Sequence, residues 1–209
     1  MSAAKNDLER ALLDVRRAYR LLHDYQRSAL DAAKYIGAQL GFTYCGGYSR
    51  FSNTAPISGK GNLDNWAWDW LNFVFYEFYF NRETKGGSEL EFSIWLFSDT
   101  GYFVSDNPRP DKTTVSSFAE AEDSSTKVAF LFYNDWNDRH NAFRDDRDAV
   151  RQFLDTGKLP ATLEHDPIRA ACIDFSRLCD AKSTDDLIDE LVRLDVDGRF
   201  QLKRMTKAV

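Results

Sequence analysis

The chain has 209 residues, of which 43% are hydrophobic and 29% charged, a mixture typical of globular proteins. No apolar run approaches the roughly 20 residues that span a bilayer, and the N-terminus lacks the apolar core of a secretion signal. With a net charge of −6, the composition favours a cytoplasmic protein that binds neither a membrane nor nucleic acid.

Charge is distributed unevenly along the chain. Residues 1–50 carry eight Lys/Arg and five Asp/Glu, residues 51–198 carry 15 and 28, and residues 199–209 carry four basic residues and no acid. An acidic body is therefore flanked by two basic ends. The ends either contact an acidic partner or neutralise the body from within, and simple geometry favours neutralisation.

The first predicted element is a helix from about residue 5 to residue 39, which Gly41 ends. Ten positions spaced alternately by four and three residues form a seam on it, and nine are apolar: Leu8, Leu12, Val15, Tyr19, Leu22, Gln26, Ala29, Ala33, Ile36 and Leu40. Such a helix is about 50 Å long, which exceeds the width of most sheets. We expect it either to bend near Gly37 or to overhang the sheet at its N-terminal end.

The middle of the chain is predicted to form strands. Alternating or continuous apolar patterns place them at residues 42–48, 72–80, 89–97 and 127–133. Gly46 and Gly47 predict a bulge in the first strand. Asp99-Thr100-Gly101 predicts a hairpin turn that leads the β-rich chain into residues 102–105, and residues 106–125 form a polar loop.

The last third of the chain is predicted to be mainly helical. Asn134 or Asp135 caps a helix that extends to about Thr156, and Ser183 caps another that ends near Leu194. A short strand at residues 171–175 separates them. The order of elements predicts a single α+β domain over residues 1–209, with two layers. It has a long N-terminal helix (1–41), an antiparallel sheet of about five or six strands (42–134) and a C-terminal region with two helices and one short strand (135–209).

Asp135, Asp138 and His140 lie within six residues after a strand. Two carboxylates and an imidazole in this arrangement could bind a divalent metal or supply a general base. A structural explanation is simpler, because Asp135 is placed to cap a helix and Asp138 lies in its first turn. A metal-dependent hydrolase or nuclease therefore remains an alternative hypothesis.

Three glutamates lie on neighbouring predicted strands. Glu89 and Glu91 are expected on the solvated face of an edge strand. Glu77 lies among aromatic residues, and a buried acid there needs a partner, so we predict a contact with an arginine or a tyrosine. Glu77 is also the fourth candidate for the hydrolase hypothesis.

Trp66, Trp68 and Trp70 are spaced by two residues. On an extended segment they share a face and could stack against sugars or bases, which gives a second alternative, a binding module. On a short helix they would scatter into the core, which is the simpler interpretation.

Cys45, Cys172 and Cys179 lack the close spacing of a zinc site and are expected to be buried free thiols in a reducing compartment. We therefore expect no metal, no cofactor and no catalytic residue. The leading hypothesis is a non-catalytic interaction protein, an accessory protein of the kind found in phages or mobile elements. Its acidic body binds another protein with a basic surface. Its N-terminal helix either packs on the sheet as a core helix or self-associates through part of the same face to form a homodimer.

Overall fold

The computed structural model describes residues 3–51, 74–83, 89–112, 114–163 and 166–205. The helices are α1 (Ala3–Gln39), α2 (Gly101–Val104), α3 (Asp138–Asp145), α4 (Arg147–Thr156) and α5 (Ala181–Arg193). The strands are β1 (Thr43–Ser49), β2 (Phe75–Glu83), β3 (Glu89–Phe97), β4 (Lys127–Tyr133) and β5 (Ile168–Asp174). Neighbouring strands are all antiparallel, and the sheet order follows the chain from β1 to β5. The predicted α+β fold is confirmed.

Helices cover both faces of this sheet. Alternate side chains of β3 point to opposite faces. Phe92 and Ile94 join a core that also contains residues of α1 and α5, whereas Trp95 and Phe97 join a second core with residues of α2, α3 and α4. The expectation of two layers is wrong, because β3 and β4 carry apolar side chains on both faces and each face needs a cover.

The two halves of α1 have different surroundings. Ala29, Ala33, Ile36 and Leu40 are at most 6% exposed and pack on the sheet. Residues 7–21 are all exposed. The helix is continuous through Gly37, where a Cβ atom would lie 2.5 Å from the Phe80 ring, so the glycine allows a close approach to the sheet. Of the two expectations for this helix, the overhanging N-terminal end is the one observed.

The predicted helix from residue 135 to residue 156 is two helices. Asp146 interrupts it with φ −88° and ψ 109°, and its carboxylate accepts hydrogen bonds from the backbone N–H groups of Asp148 and Ala149. Asp146 therefore ends α3 and caps α4. The predicted cap at Asn134 or Asp135 is wrong, because Asn137 caps α3.

Three further local predictions are corrected. Asp99 makes no hairpin turn: its Oδ1 accepts a hydrogen bond of 2.7 Å from the Gly101 N–H, and α2 begins there. Asp180 replaces Ser183 as the cap of the last helix. β3 is the central strand, so Glu89 and Glu91 do not lie on an edge strand. The bulge in β1 is confirmed, since its register shifts between Tyr44 and Gly46.

All three cysteines have free thiols, but they are not buried as expected. Cys45 and Cys179 are exposed, and Cys172 is partly exposed. Among the described helices, none combines the length and apolar character needed to cross a membrane.

Candidate functional site

Glu77 forms the centre of a buried network of charged and polar groups. Its side chain is 1% exposed, on the sheet face that α2, α3 and α4 cover. Oε2 accepts hydrogen bonds from the Arg50 guanidinium and the Tyr79 hydroxyl. Nε of Arg144 lies 3.9 Å from Oε1. The predicted contact of Glu77 with an arginine or a tyrosine is confirmed, and both occur.

Alternation along β2 places Glu77 and Tyr79 on the same face, and Arg50 follows directly after β1, the neighbouring strand. Burial, together with the hydrogen bond to Glu77, raises the pKa of Tyr79. Burial alone would lower the pKa of Arg50, but the hydrogen bond and charge of Glu77 outweigh burial and raise it. In this network, the neutral phenol of Tyr79 and the charged guanidinium of Arg50 therefore both donate to the carboxylate of Glu77.

A cavity of about 320 Å³ adjoins Glu77 on this face. Its charged lining consists of three carboxylates and one guanidinium, from Glu77, Glu89, Glu91 and Arg144. Aromatic side chains form much of the remaining wall, including Trp95, Tyr133 and Trp136. Burial and the nearby carboxylates of Glu89 and Asp135 raise the pKa of Glu91, while the backbone N–H of Trp136 opposes the shift. The cavity is therefore acidic and aromatic.

His140 forms a second buried group at the start of α3. Its Nδ1 accepts a hydrogen bond of 3.1 Å from the backbone N–H of Asn137, which completes a capping box. The ring proton must then be on Nε2, which lies 3.3 Å from Oδ2 of Asp166 but is not aligned for a hydrogen bond. Both side chains are at most 4% exposed, and Asp166 also pairs with Arg139. This arrangement gives His140 a structural role in holding α3.

We expect His140 to make the protein less stable at mildly acidic pH. Burial lowers the pKa of His140 below 6.5, and Asp166 only partly opposes this shift. The unfolded chain therefore binds a proton at this residue at a higher pH than the folded chain does. The stability that the neutral ring contributes is fully present above about pH 6.5 and is lost as the pH falls towards the folded pKa.

The variant His140→Gln tests this expectation. Gln keeps a side-chain acceptor at the same capping-box position but cannot titrate. Urea unfolding between about pH 5 and about pH 8 should show a smaller loss of stability for the variant than for the wild type. Equal losses for the two proteins would contradict the assignment.

The other sequence candidates do not form a metal site with His140. Asp138 lies in the first turn of α3, as predicted, where the helix dipole favours an acid. In the part of the chain that the structure describes, no group of three or more His, Cys, Asp or Glu side chains is arranged to hold a metal ion. Trp66, Trp68 and Trp70 lie outside the described residues.

Comparison with known proteins places the chain in a family. A family model described as PM0109 matches residues 5–195. The chain belongs to the PM0109 family. Neither the curated proteins nor the solved structures gave a significant match. The region matched to the PM0109 family includes the overhanging half of α1, the Glu77 network and the His140 capping box.

Several residues of these sites were not singled out by the sequence. Arg50 and Arg144 are 27 and 67 positions from Glu77, and nothing local connects them. Asp166 likewise follows His140 by 26 positions. Ser93, which also lines the cavity, was predictable in one respect, because the alternating β3 pattern places it on the same face as Glu91 and Trp95.

Proposed function

We propose that the protein is a non-catalytic interaction protein that forms a homodimer through the overhanging half of α1 and offers its acidic body to a partner with a basic surface. The observation that supports the proposal is the apolar stripe on residues 7–21. Leu8, Leu12, Val15 and Tyr19 are 46% to 61% exposed, although they belong to the seam whose later positions are buried.

The overhanging half of α1 is poorly stabilised as a single helix exposed to water on all sides, so we expect it to pack against a partner. A helical segment as short as residues 7–21 is only marginally stable in water without tertiary packing. Ala11 and Ala18, which flank the seam, are also exposed, so the apolar surface is wider than the seam alone. A contiguous apolar surface of this kind is typical of an interaction site.

A second copy of the chain fits the seam when the two helices run antiparallel. The layers then pair Leu8 with Tyr19 and Leu12 with Val15, each twice because of the two-fold symmetry. Both of these layers are apolar. The two bodies lie at opposite ends of the helix pair, so they do not compete for space.

The flanking positions select this register. Glu9 of one copy lies opposite Arg16 of the other, again twice, and Ala11 lies opposite Ala18, which allows the backbones to approach closely. Sliding one helix by a heptad in either direction would place Arg16 against Arg16 or Glu9 against Glu9. A parallel pair would place Ala11 opposite Arg16 and would gain no ion pair.

The charge pattern supports the second part of the proposal. Arg204 contacts Asp185 and Asp189, and Arg199 lies near Asp197, so the C-terminal basic residues neutralise part of the body from within. The acidic residues that are not neutralised in this way keep the body negatively charged, and this charge attracts a basic surface of a partner. Three free thiols, two of them exposed, are consistent with a reducing compartment such as the cytoplasm.

Light scattering on the full chain tests the assembly. We expect a molar mass of twice the 24.1 kDa of one chain, falling to one chain only on strong dilution. A single-chain mass at every concentration, with α1 still helical by circular dichroism, would contradict it. For the acidic body, we expect salt-sensitive binding to polylysine and none to polyglutamate.

A further inference from the structure

The cavity beside Glu77 contains buried acceptor atoms without donors. Within the described residues, Oε1 of Glu77 and Oε2 of Glu91 are buried and make no hydrogen bond, and the buried Oγ of Ser93 has the Tyr133 hydroxyl as its neighbour. Glu77 and Ser93 are each 1% exposed, and all three residues line the cavity. Buried acceptors without partners cost free energy, so such a set favours a ligand that donates hydrogen bonds.

The register of the sheet brings these atoms together. Tyr79 on β2 pairs with Ser93 on β3, and Asn81 pairs with Glu91, so Ser93 and Glu91 stand next to each other on the face that carries Glu77. β4 adds Tyr133 opposite Glu91. The acceptors therefore belong to one patch of the sheet.

The charge of the lining excludes an anion. Three carboxylates face one guanidinium, and that guanidinium, of Arg144, already lies 3.1 Å from Asp145 and 3.9 Å from Glu77. A positively charged donor therefore fits this lining best. A metal ion does not fit, because no described group of three or more side chains is arranged to hold one.

We propose that this cavity binds a primary ammonium group on a short alkyl chain. An alkylammonium has three N–H donors and no acceptor, which suits two carboxylate oxygens without donors and a serine oxygen beside them. The rings of Trp95, Trp136 and Tyr133 provide the apolar and π-rich wall that favours an organic cation over a hydrated inorganic one. The volume of about 320 Å³ suits a small ligand.

The ammonium can come from a free amine or from a lysine side chain of a polypeptide. Both present the same chemistry to the cavity. The site lies on the face covered by α2, α3 and α4, opposite to α1. It does not depend on the proposed homodimer, and either proposal can fail without the other.

Isothermal titration calorimetry with n-butylammonium chloride tests the site. We expect one saturable site per chain with a dissociation constant of about 1 mM or lower. Tetramethylammonium, which has charge but no N–H donor, should bind at least about tenfold more weakly. No saturable binding of n-butylammonium, or equal binding of the two cations, would overturn the proposal, as would displacement of n-butylammonium by an equal concentration of Mg²⁺.

Three variants distinguish direct contact with the ammonium group from general attraction to the negative charge of the protein. Ser93→Ala and Glu91→Gln should each weaken n-butylammonium binding about five- to tenfold. The control is Asp174→Asn, which removes the same charge on the same sheet but outside the cavity, where Asp174 is 61% exposed and pairs with Lys127. It should change binding by no more than about twofold. Equal losses in Asp174→Asn and Glu91→Gln would overturn the site, and thermal melts check that each variant is folded.

A parallel titration with Nα-acetyl-lysine methylamide distinguishes the two sources. Binding at least as tight as that of n-butylammonium, with the same loss in Glu91→Gln, supports the site and identifies a lysine side chain as its ligand. Clearly weaker binding supports the site and identifies a free amine.

Discussion

Replacing Glu77 with Ala lowers the free energy of unfolding by about 3–5 kcal/mol, because removing one partner of a buried ion pair leaves the other uncompensated. Glu77 is 1% exposed and Arg50 22%, so water cannot replace the lost carboxylate fully. The Tyr79 hydroxyl loses its acceptor in the same step. Urea unfolding near neutral pH measures the effect.

An exposed ion pair on the same sheet provides the control. Asp174 lies 3.0 Å from Lys127 and is 61% exposed, so Asp174→Ala should cost about 1 kcal/mol or less. Glu77→Gln keeps an acceptor oxygen for Tyr79 or Arg50. Its loss in the free energy of unfolding should therefore lie between those of Glu77→Ala and Asp174→Ala. A loss in Glu77→Ala no larger than that in Asp174→Ala would show that the network does not stabilise the fold.

The double variant Leu12→Asp/Tyr19→Asp is expected to convert the dimer into a folded monomer. The two-fold axis multiplies the change, so four carboxylates enter the apolar layers of one interface, and burying them there is costly. The dissociation constant should rise at least about 100-fold. Both side chains are largely exposed in a single chain, so the body should unfold at an unchanged urea concentration. Light scattering and urea unfolding measure the two effects.

Arg10→Gln/Arg17→Gln is the matched control for this variant. It makes the same change in net charge on the same helix, but both positions lie outside the seam and Gln is a good helix former. This control should remain dimeric. Dissociation of both variants would indicate that the charge of the helix, and not its apolar stripe, holds the copies together.

Patterns confined to one element were predictable from the sequence. The bounds predicted for β3 and β4 match the structure residue for residue, because alternating or continuous apolar runs are local signals. The period of the α1 seam likewise identified the helix and its apolar face. It did not show where the sheet ends, since the same stripe continues from the exposed half into the buried half.

The positions of helix caps and the membership of the sites were less predictable. Asn134, Asp135 and Asn137 are all good capping residues, and only the path of the chain after β4 selects Asn137. The partners of Glu77 and His140 lie far away in sequence and reach them through sheet register and helix packing. The acidity and aromatic surroundings of Glu77 indicated a buried, partnered acid, but not which arginine would reach it.

Distances between spin labels test the central claim, an antiparallel pair of α1 helices, most directly. Single cysteines replace Arg10 or Asp24 in a chain whose three native cysteines are changed to Ser, and each dimer then carries two labels. In the proposed register, the two labels at position 10 are offset by about 10 Å along the helix axis and those at position 24 by about 30 Å. We predict a short distance for position 10 and a much longer one for position 24. Equally short distances would indicate a parallel pair, and no defined distance at either position would contradict the assembly itself.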